Sequence, residues 1–265
     1  MCSQSVAQGV DFVPPGSSRR PTAASRTVAE QLAPVVRTYG ALRADATPRI
    51  DVEATRARIA SGRVAFDPEV VLANVGDLTA GFWQAVGALE HAGSASSVHV
   101  EALHRLDVDA NELARSWSKS ESTRSDPVSK LARQAAGLIG SAVLSRAAAE
   151  ITTDFSLTGW TRSQCPCCGA SPDMVVSAES RRTFVCWRCE TMWRTDERGC
   201  LGCGASEPPT LARIRSVYLG YDLAICHACG RYLKERGGSL RHDLIVERTI
   251  VATLDEAAQL RGLRA

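Results

Sequence analysis

The sequence has no long apolar run and no large excess of charge of either sign. No stretch approaches the ~20 consecutive apolar residues of a membrane-spanning helix. The 31 Lys and Arg stand against 29 Asp and Glu, which gives a net charge of +2. Residues 1–13 contain neither a basic start nor an apolar block, unlike a signal peptide. We therefore expect a cytoplasmic protein with no membrane span, and we expect no nucleic-acid partner because a dense basic patch is missing.

The chain also lacks the residue patterns that usually indicate an enzyme. The sequence has no glycine-rich phosphate-binding loop. His99 and His104 lie five residues apart, whereas two histidine ligands on one helical face lie three or four residues apart. Without a catalytic constellation, we expect the chain not to be an enzyme.

Cysteine is scarce before residue 161, where Cys2 is the only one, and abundant afterwards. A Cys-x-x-Cys turn directs two sulfurs at one point, and two such turns form a tetrahedral thiolate site. In a reducing cytoplasm these pairs are metal ligands more often than disulfides. The sequence therefore predicts two metal ions per chain, each with four cysteine ligands. The candidate ligands are Cys165, Cys168, Cys186, Cys189, Cys200, Cys203, Cys226 and Cys229.

The pairing of these motifs and the identity of the metal stay open at this point. Sequential pairing joins the first two motifs in one site and the last two in the other, whereas interleaved pairing needs longer crossing connections. Four thiolates suit zinc or iron. A closed shell of four thiolates leaves no position for a substrate, which favours a structural role. Cys167, inside the first motif, is either a small buried residue or an additional redox or ligand sulfur.

The residue after each second cysteine also follows a pattern. It is Gly169, Gly204 or Gly230 in three motifs and Glu190 in the fourth. This position often needs positive φ so that backbone N–H groups can turn toward the sulfurs. The pattern indicates four metal-binding turns of one kind, which we call knuckles.

The residues before the knuckles have a helical pattern that predicts five to seven helices. Asp67-Pro68 and Asp126-Pro127 are typical helix starts. Pro34 is expected to end or kink the first helix near residue 33. Residues 98–117 are predicted to form one helix.

Short strands are expected in the part of the chain that contains the knuckles. Two hairpins are predicted, around residues 179–181 and around Gly220, each between two knuckles. A helix is predicted over residues 243–260. The fold class is therefore α+β. We expect a flexible N-terminus at 1–21, a helical domain at 22–160, rubredoxin-like or zinc-ribbon modules at 161–195 and 196–240, and a C-terminal helix at 241–265.

The order of the motifs resembles that of the formate dehydrogenase accessory protein family, FdhE. The family pattern CPxCG, CxxCExxW, CxxCG and CxxCGxYLK matches Cys165 to Gly169, Cys186 to Trp193, Cys200 to Gly204 and Cys226 to Lys234. The resemblance covers about residues 160–260. Cys167 departs from the pattern, because a different residue is expected there.

The resemblance implies a cytoplasmic chaperone-like factor for the maturation of respiratory formate dehydrogenases. Such proteins have a helical domain and two rubredoxin-like modules, with iron as the favoured ion and zinc as the alternative. They bind the molybdenum-containing catalytic subunit before its export by the twin-arginine route, and the enzyme needs them for activity.

Two other functions remain open. A nucleic-acid-binding zinc ribbon could use the aromatic rings of Trp187 and Trp193 together with nearby arginines. These arginines are Arg181, Arg182, Arg188, Arg194 and Arg198. A rubredoxin-type iron site would instead allow the chain to act as a redox carrier.

The expected contacts with a protein partner lie beside the knuckles. Exposed aromatic residues and arginines often dominate such contacts. Trp187 and Tyr232 are the aromatic candidates, and Arg188 and Arg231 beside them can meet an acidic surface. A symmetric homodimer is also compatible with the sequence.

Overall fold

The computed structural model describes residues 23–119, 126–178, 181–195, 199–206, 210–216 and 219–264. The segment predicted to be flexible, 1–21, lies outside these ranges. The helices are α1 Ala23–Asp45, α2 Val52–Ala60, α3 Pro68–Ala73, α4 Thr79–His91, α5 Ser97–His104, α6 Ala110–Lys119, α7 Pro127–Thr152 and α8 Leu244–Gln259. The strands are β1 Pro172–Ala178, β2 Arg181–Cys186, β3 Met192–Thr195, β4 Leu211–Ser216, β5 Tyr221–Cys226 and β6 Tyr232–Gly237. The predicted α+β fold class is confirmed.

Helix α7 is the centre of the helical domain. It contacts each of the helices α1 to α6. Its start is the predicted Asp-Pro signal, because the Asp126 carboxylate accepts hydrogen bonds from the backbone N–H groups of Val128 and Ser129. Asp67 caps α3 in the same way. Within the described ranges, no helix is both long enough and apolar enough to cross a lipid bilayer.

Two helix predictions need correction. Pro34 does not end the first helix, since α1 continues through it to Asp45, and the alternative of a kink near residue 33 stays a prediction. Burial of Val35 and Tyr39 in this helix offsets the hydrogen bond that proline removes. The prediction of a single helix at 98–117 is wrong, because α5 ends at His104 and α6 begins after Asp109. The Asp109 carboxylate accepts a hydrogen bond from the backbone N–H of Glu112 and so caps the start of α6.

The six strands form one sheet in the order β3-β2-β1-β6-β5-β4. Each half of the sheet is an antiparallel three-stranded unit. The two halves join through β1 and β6, which run parallel, with Met174 opposite Lys234. Both predicted hairpins are confirmed, as β1–β2 and β4–β5. Strands β3 and β6 and the joint between the halves were not predicted from the sequence. Strand β3 has only four residues, and β6 pairs with β1 through a contact between segments distant in the chain.

The two faces of the sheet have different partners. On one face, Met174, Val185 and Tyr221 form a buried cluster with Val251 of α8, the predicted C-terminal helix. Side chains alternate across a strand, so Val175 and Phe184 point to the opposite face. There they belong to the same hydrophobic core as the helical domain.

A buried carboxylate holds the start of α8 against the sheet. Glu247 is fully buried. It accepts hydrogen bonds from the Tyr221 hydroxyl at 2.6 Å and from the Arg236 guanidinium at 3.3 Å. The backbone N–H groups of Arg241 and His242 donate to its other oxygen. Burial and the neighbouring Glu247 carboxylate raise the pKa of Tyr221, so the hydroxyl keeps its proton and remains a donor.

The contact between α6 and α7 depends on a glycine. A Cβ added at Gly140 would lie 2.8 Å from the Trp117 ring, whereas one added at the exposed Gly87 of α4 would meet nothing within 4 Å. We expect Gly140→Ala to destabilise the protein by about 1–3 kcal/mol because the ring must move. The matched control, Gly87→Ala, should be neutral or slightly stabilising. Urea unfolding of both variants is the measurement, and equal midpoints would contradict the close packing.

Candidate metal centres

The eight knuckle cysteines meet in two groups of four. Site one consists of Cys165, Cys168, Cys186 and Cys189, and site two consists of Cys200, Cys203, Cys226 and Cys229. In each group all four sulfurs lie within 4.8 Å of one another. The structure therefore has the sequential pairing and not the interleaved one.

The sulfur positions fit a tetrahedral metal ion. Across site one, the sulfurs of Cys165 and Cys189 are 3.5 Å apart and those of Cys168 and Cys186 are 3.4 Å apart. The corresponding distances in site two are 3.5 and 3.6 Å. A tetrahedron with metal–sulfur bonds of about 2.3 Å has an edge of about 3.8 Å. A disulfide bond of about 2.05 Å is much shorter than any of these separations. Both groups can hold zinc or iron.

All four knuckles have the same backbone geometry. In each one, the residue after the second cysteine donates its N–H to the carbonyl of the first cysteine. That residue has positive φ in every case, as the glycine pattern predicts. Backbone N–H groups also donate to sulfur, from Arg188 to Cys186 at 3.4 Å and from Gly202 to Cys200 at 3.3 Å. Such bonds stabilise thiolate charge before and after a metal binds.

Glu190 occupies the glycine position of the second knuckle at φ 59°. An ion pair explains why a residue with a side chain is tolerated in this left-handed conformation. Arg248 of α8 donates to Glu190 at 3.1 Å, to Asp173 at 2.8 Å and to the carbonyl oxygen of Cys186 at 2.9 Å. One guanidinium therefore ties the C-terminal helix to the site-one knuckle.

Site one lies inside the core that the helical domain and the sheet share. Its four cysteines are at most 4% exposed. The first knuckle pairs with the α2–α3 loop, where Ala65 and Phe66 donate their backbone N–H groups to Pro166 and Cys167 at 2.9 and 3.0 Å. Cys167 is fully buried and lies outside the group of four sulfurs. Its position agrees with the interpretation as a small buried residue.

A polar contact between helices also faces site one. The Tyr39 hydroxyl of α1 lies 3.3 Å from the Ser141 hydroxyl and donates to that of Ser145 at 3.2 Å, both on α7. Burial and the nearby Glu190 carboxylate raise the pKa of Tyr39. The phenol therefore remains a neutral donor beside the second knuckle.

Site two is more accessible than site one. Cys203 is exposed, Cys200 and Cys229 are partly buried, and Cys226 is buried. None of the four belongs to the hydrophobic core that contains site one, within the part of the chain described. The two sites share a ligand set and a knuckle geometry, and they differ in their access to solvent.

One cysteine in each site has a lowered pKa. Burial opposes ionisation of Cys186, but hydrogen bonds from the other three thiols and from a backbone N–H lower its pKa well below the usual range. At Cys226 burial again opposes ionisation, and backbone N–H donors with neighbouring thiols lower its pKa to about 7. Both residues are the first cysteine of the second knuckle in their site. They offer a thiolate at neutral pH, the form that binds a metal.

The four predicted partner contacts lie in two separate places. Trp187 is partly buried, with its ring edge-on to Trp117 of α6 at 5.3 Å, and Arg188 stacks over it at 4.8 Å. Tyr232 is 6% exposed and donates its hydroxyl to Asp255 at 2.8 Å. The expectation of an exposed aromatic residue at 232 is therefore wrong.

Arg231 belongs to a different surface from Trp187 and Arg188. It lines a cleft next to site two. The role of all four residues in partner binding stays a prediction.

The residues considered for nucleic-acid binding have different surroundings, and that function stays a prediction. Trp193 is 1% exposed and serves as core. Arg182 points to Glu235, at 3.7 Å, and is 14% exposed. Arg198 lies outside the described residues.

Comparison with solved structures agrees with the fold expected from the motifs. The chain is similar to a crystal structure of the FdhE protein from Pseudomonas aeruginosa, with a TM-score of 0.60 and 18% sequence identity. The match covers 91% of this chain and 90% of that chain. No protein-family model matches the sequence, and no curated protein does. The chain therefore has an FdhE-like fold.

Replacing one ligand in each site should separate their contributions. Cys168→Ser and Cys203→Ser should each lower the metal content by one ion per chain, because three thiolates bind a metal more weakly than four. Only Cys168→Ser should lower the melting temperature strongly, by about 10 °C or more, since site one lies in the shared core. Elemental analysis and thermal unfolding are the measurements. Equal melting temperatures for the two variants would contradict the structural difference between the sites.

Proposed function

We propose that this protein is an accessory factor for the maturation of a formate dehydrogenase. The main support is an FdhE-like fold that extends over 91% of the chain at a TM-score of 0.60. The knuckle segments resemble the same family, and they meet in two groups of four cysteines. Tyr232 and Lys234 of the last motif both bind Asp255 of α8, each at 2.8 Å. The family pattern in this segment therefore has a structural reason.

The proposed role is binding rather than catalysis. Each group of four thiolates can close around one ion and leave no position for a substrate. A cytoplasmic factor of this kind would bind the molybdenum-containing catalytic subunit before its export by the twin-arginine route. It would act as a chaperone or as a check on the subunit, with iron as the favoured ion and zinc as the alternative.

A deletion strain tests this role. Loss of the chain should strongly reduce respiratory formate dehydrogenase activity without reducing synthesis of the catalytic subunit, and the wild-type gene should restore it. The tagged chain should also capture the precursor of that subunit from the cytoplasmic fraction. An unrelated twin-arginine substrate, which the chain should not capture, serves as the control. Full formate dehydrogenase activity in the deletion strain would refute the proposal.

A redox carrier is the second candidate, and the exposure of site two favours it. Cys203 is exposed to solvent, so electrons could reach an iron at site two from outside. Protein purified without oxygen and without added metal should then contain about two irons per chain, one for each group of four thiolates. It should have a reddish colour and a reversible one-electron potential. Two zinc ions without colour would exclude the redox function and leave the accessory role in place.

A further inference from the structure

Among the described residues, the helical domain covers only half of the sheet face that points toward it. Strand register places Trp193, Phe184 and Val175 in one row across β3, β2 and β1. These three side chains belong to the core of the helical domain. The next row on the same face continues through Leu233 of β6 and Ala224 of β5. There the face borders a cleft of about 350 Å³.

The cleft lies between the two metal sites. One wall is the open half of the sheet face, with Leu211 of β4 and Leu233 of β6. Cys200 and Cys226 of site two lie at one side. Gln164, next to the first cysteine of site one, lies at the other side. A volume of this size is within the range of binding pockets, about 300–1,000 Å³.

Three arginines give the cleft a positive charge. Arg182, Arg213 and Arg231 line it, and no acidic residue does so among the described residues. Glu235 follows Leu233 on the same face of β6 and is 4% exposed, with Arg213 at 2.8 Å and Arg182 at 3.7 Å. One buried carboxylate therefore faces two of the three guanidinium groups.

Arg231 is the arginine that the Glu235 carboxylate does not reach. Its side chain lies directly over Gly202 of the third knuckle, where a Cβ would collide with it. Within the described part of the chain, no carboxylate forms an ion pair with Arg231. The cleft thus combines an apolar floor with the guanidinium group of Arg231 at the edge of site two.

We propose that this cleft binds an acidic segment of a partner protein in an extended conformation. Glutamate or aspartate side chains would meet Arg213 and Arg231, and alternate apolar side chains would lie on Leu211 and Leu233. The open wall is itself a sheet face, so a strand-like segment matches its shape. The inference rests on the proposed function in one respect, because it assigns the segment to the catalytic subunit.

Fluorescence anisotropy on the metal-loaded full chain tests the site. The probe is a labelled peptide of roughly eight residues that alternates glutamate with leucine. Matched peptides replace glutamate by glutamine or by lysine. We expect only the glutamate peptide to bind, and we expect its affinity to fall as salt rises from about 0.05 M to about 0.2 M. No binding, or equal binding of the lysine peptide, overturns the proposal.

Two variants on one strand separate the cleft from general surface charge. Arg213 lines the cleft, and its side chain is 57% exposed. Arg215 lies two residues further along β4 on the same face, is 42% exposed and pairs with Asp222. Arg213→Gln should weaken peptide binding by about tenfold, and so should Arg231→Gln. Arg215→Gln should change it by less than about twofold. Equal losses in all three variants contradict a defined site. Unchanged metal content and melting temperature establish that each variant is folded.

Two competitors distinguish other occupants. Acetate or citrate that displaces the peptide at low concentration identifies a site for free organic acids. A short oligothymidylate that binds more tightly than the peptide identifies a nucleic-acid site. Either result overturns the peptide proposal.

Capture of the catalytic subunit then separates this inference from the proposed function. If the Arg213→Gln, Arg231→Gln double variant captures the subunit as well as the wild-type chain does, the subunit does not bind in the cleft. The proposed accessory role is then unaffected. If the wild-type chain binds the peptide but does not capture the subunit, the cleft is a peptide-binding site and formate dehydrogenase is not the partner.

Discussion

The burial of site one is the constraint on which the rest of the structure depends. Four cysteines lie in the hydrophobic core between the helical domain and the sheet. Thiolates in such a place are costly without a metal ion and hydrogen-bond donors around them. The knuckle backbone supplies the donors, and the α2–α3 loop closes over Pro166 and Cys167. The helices and the first half of the sheet are thus held together at one point.

Helix α8 strengthens this junction from the other side of the sheet. Arg248 reaches the second knuckle, Glu247 anchors the helix start, and Asp255 binds two side chains of β6. Buried charges destabilise a protein unless they are paired and hydrogen-bonded. Here Glu247, Arg248 and Asp255 of α8 have partners on the sheet or on the knuckle. The family motif at the last knuckle and the C-terminal helix therefore belong to one interaction network.

The two metal sites have similar sequences and different surroundings. Each has two Cys-x-x-Cys knuckles and a three-stranded unit. The helical domain covers the first unit, whereas the corresponding face of the second unit borders the cleft beside Arg213. A buried site resists exchange of its metal, whereas an exposed one can respond to solvent or to a partner. We infer that site one stabilises the fold and that the surface around site two is available for recognition.

Features that depend on neighbouring residues can be predicted from the sequence of this chain. Cys-x-x-Cys spacing predicted the knuckles, glycine at three of the four turns indicated positive φ, and Asp-Pro pairs marked the starts of α3 and α7. The choice of which knuckles pair, the joint between β1 and β6, and the exposure of each sulfur depend instead on how distant segments pack. The burial of Tyr232 could not be predicted from the sequence around it, because it depends on contact with Asp255 in a helix that begins well after it. Local geometry is encoded within a few residues, whereas burial and charge pairing arise from packing between segments distant in the chain.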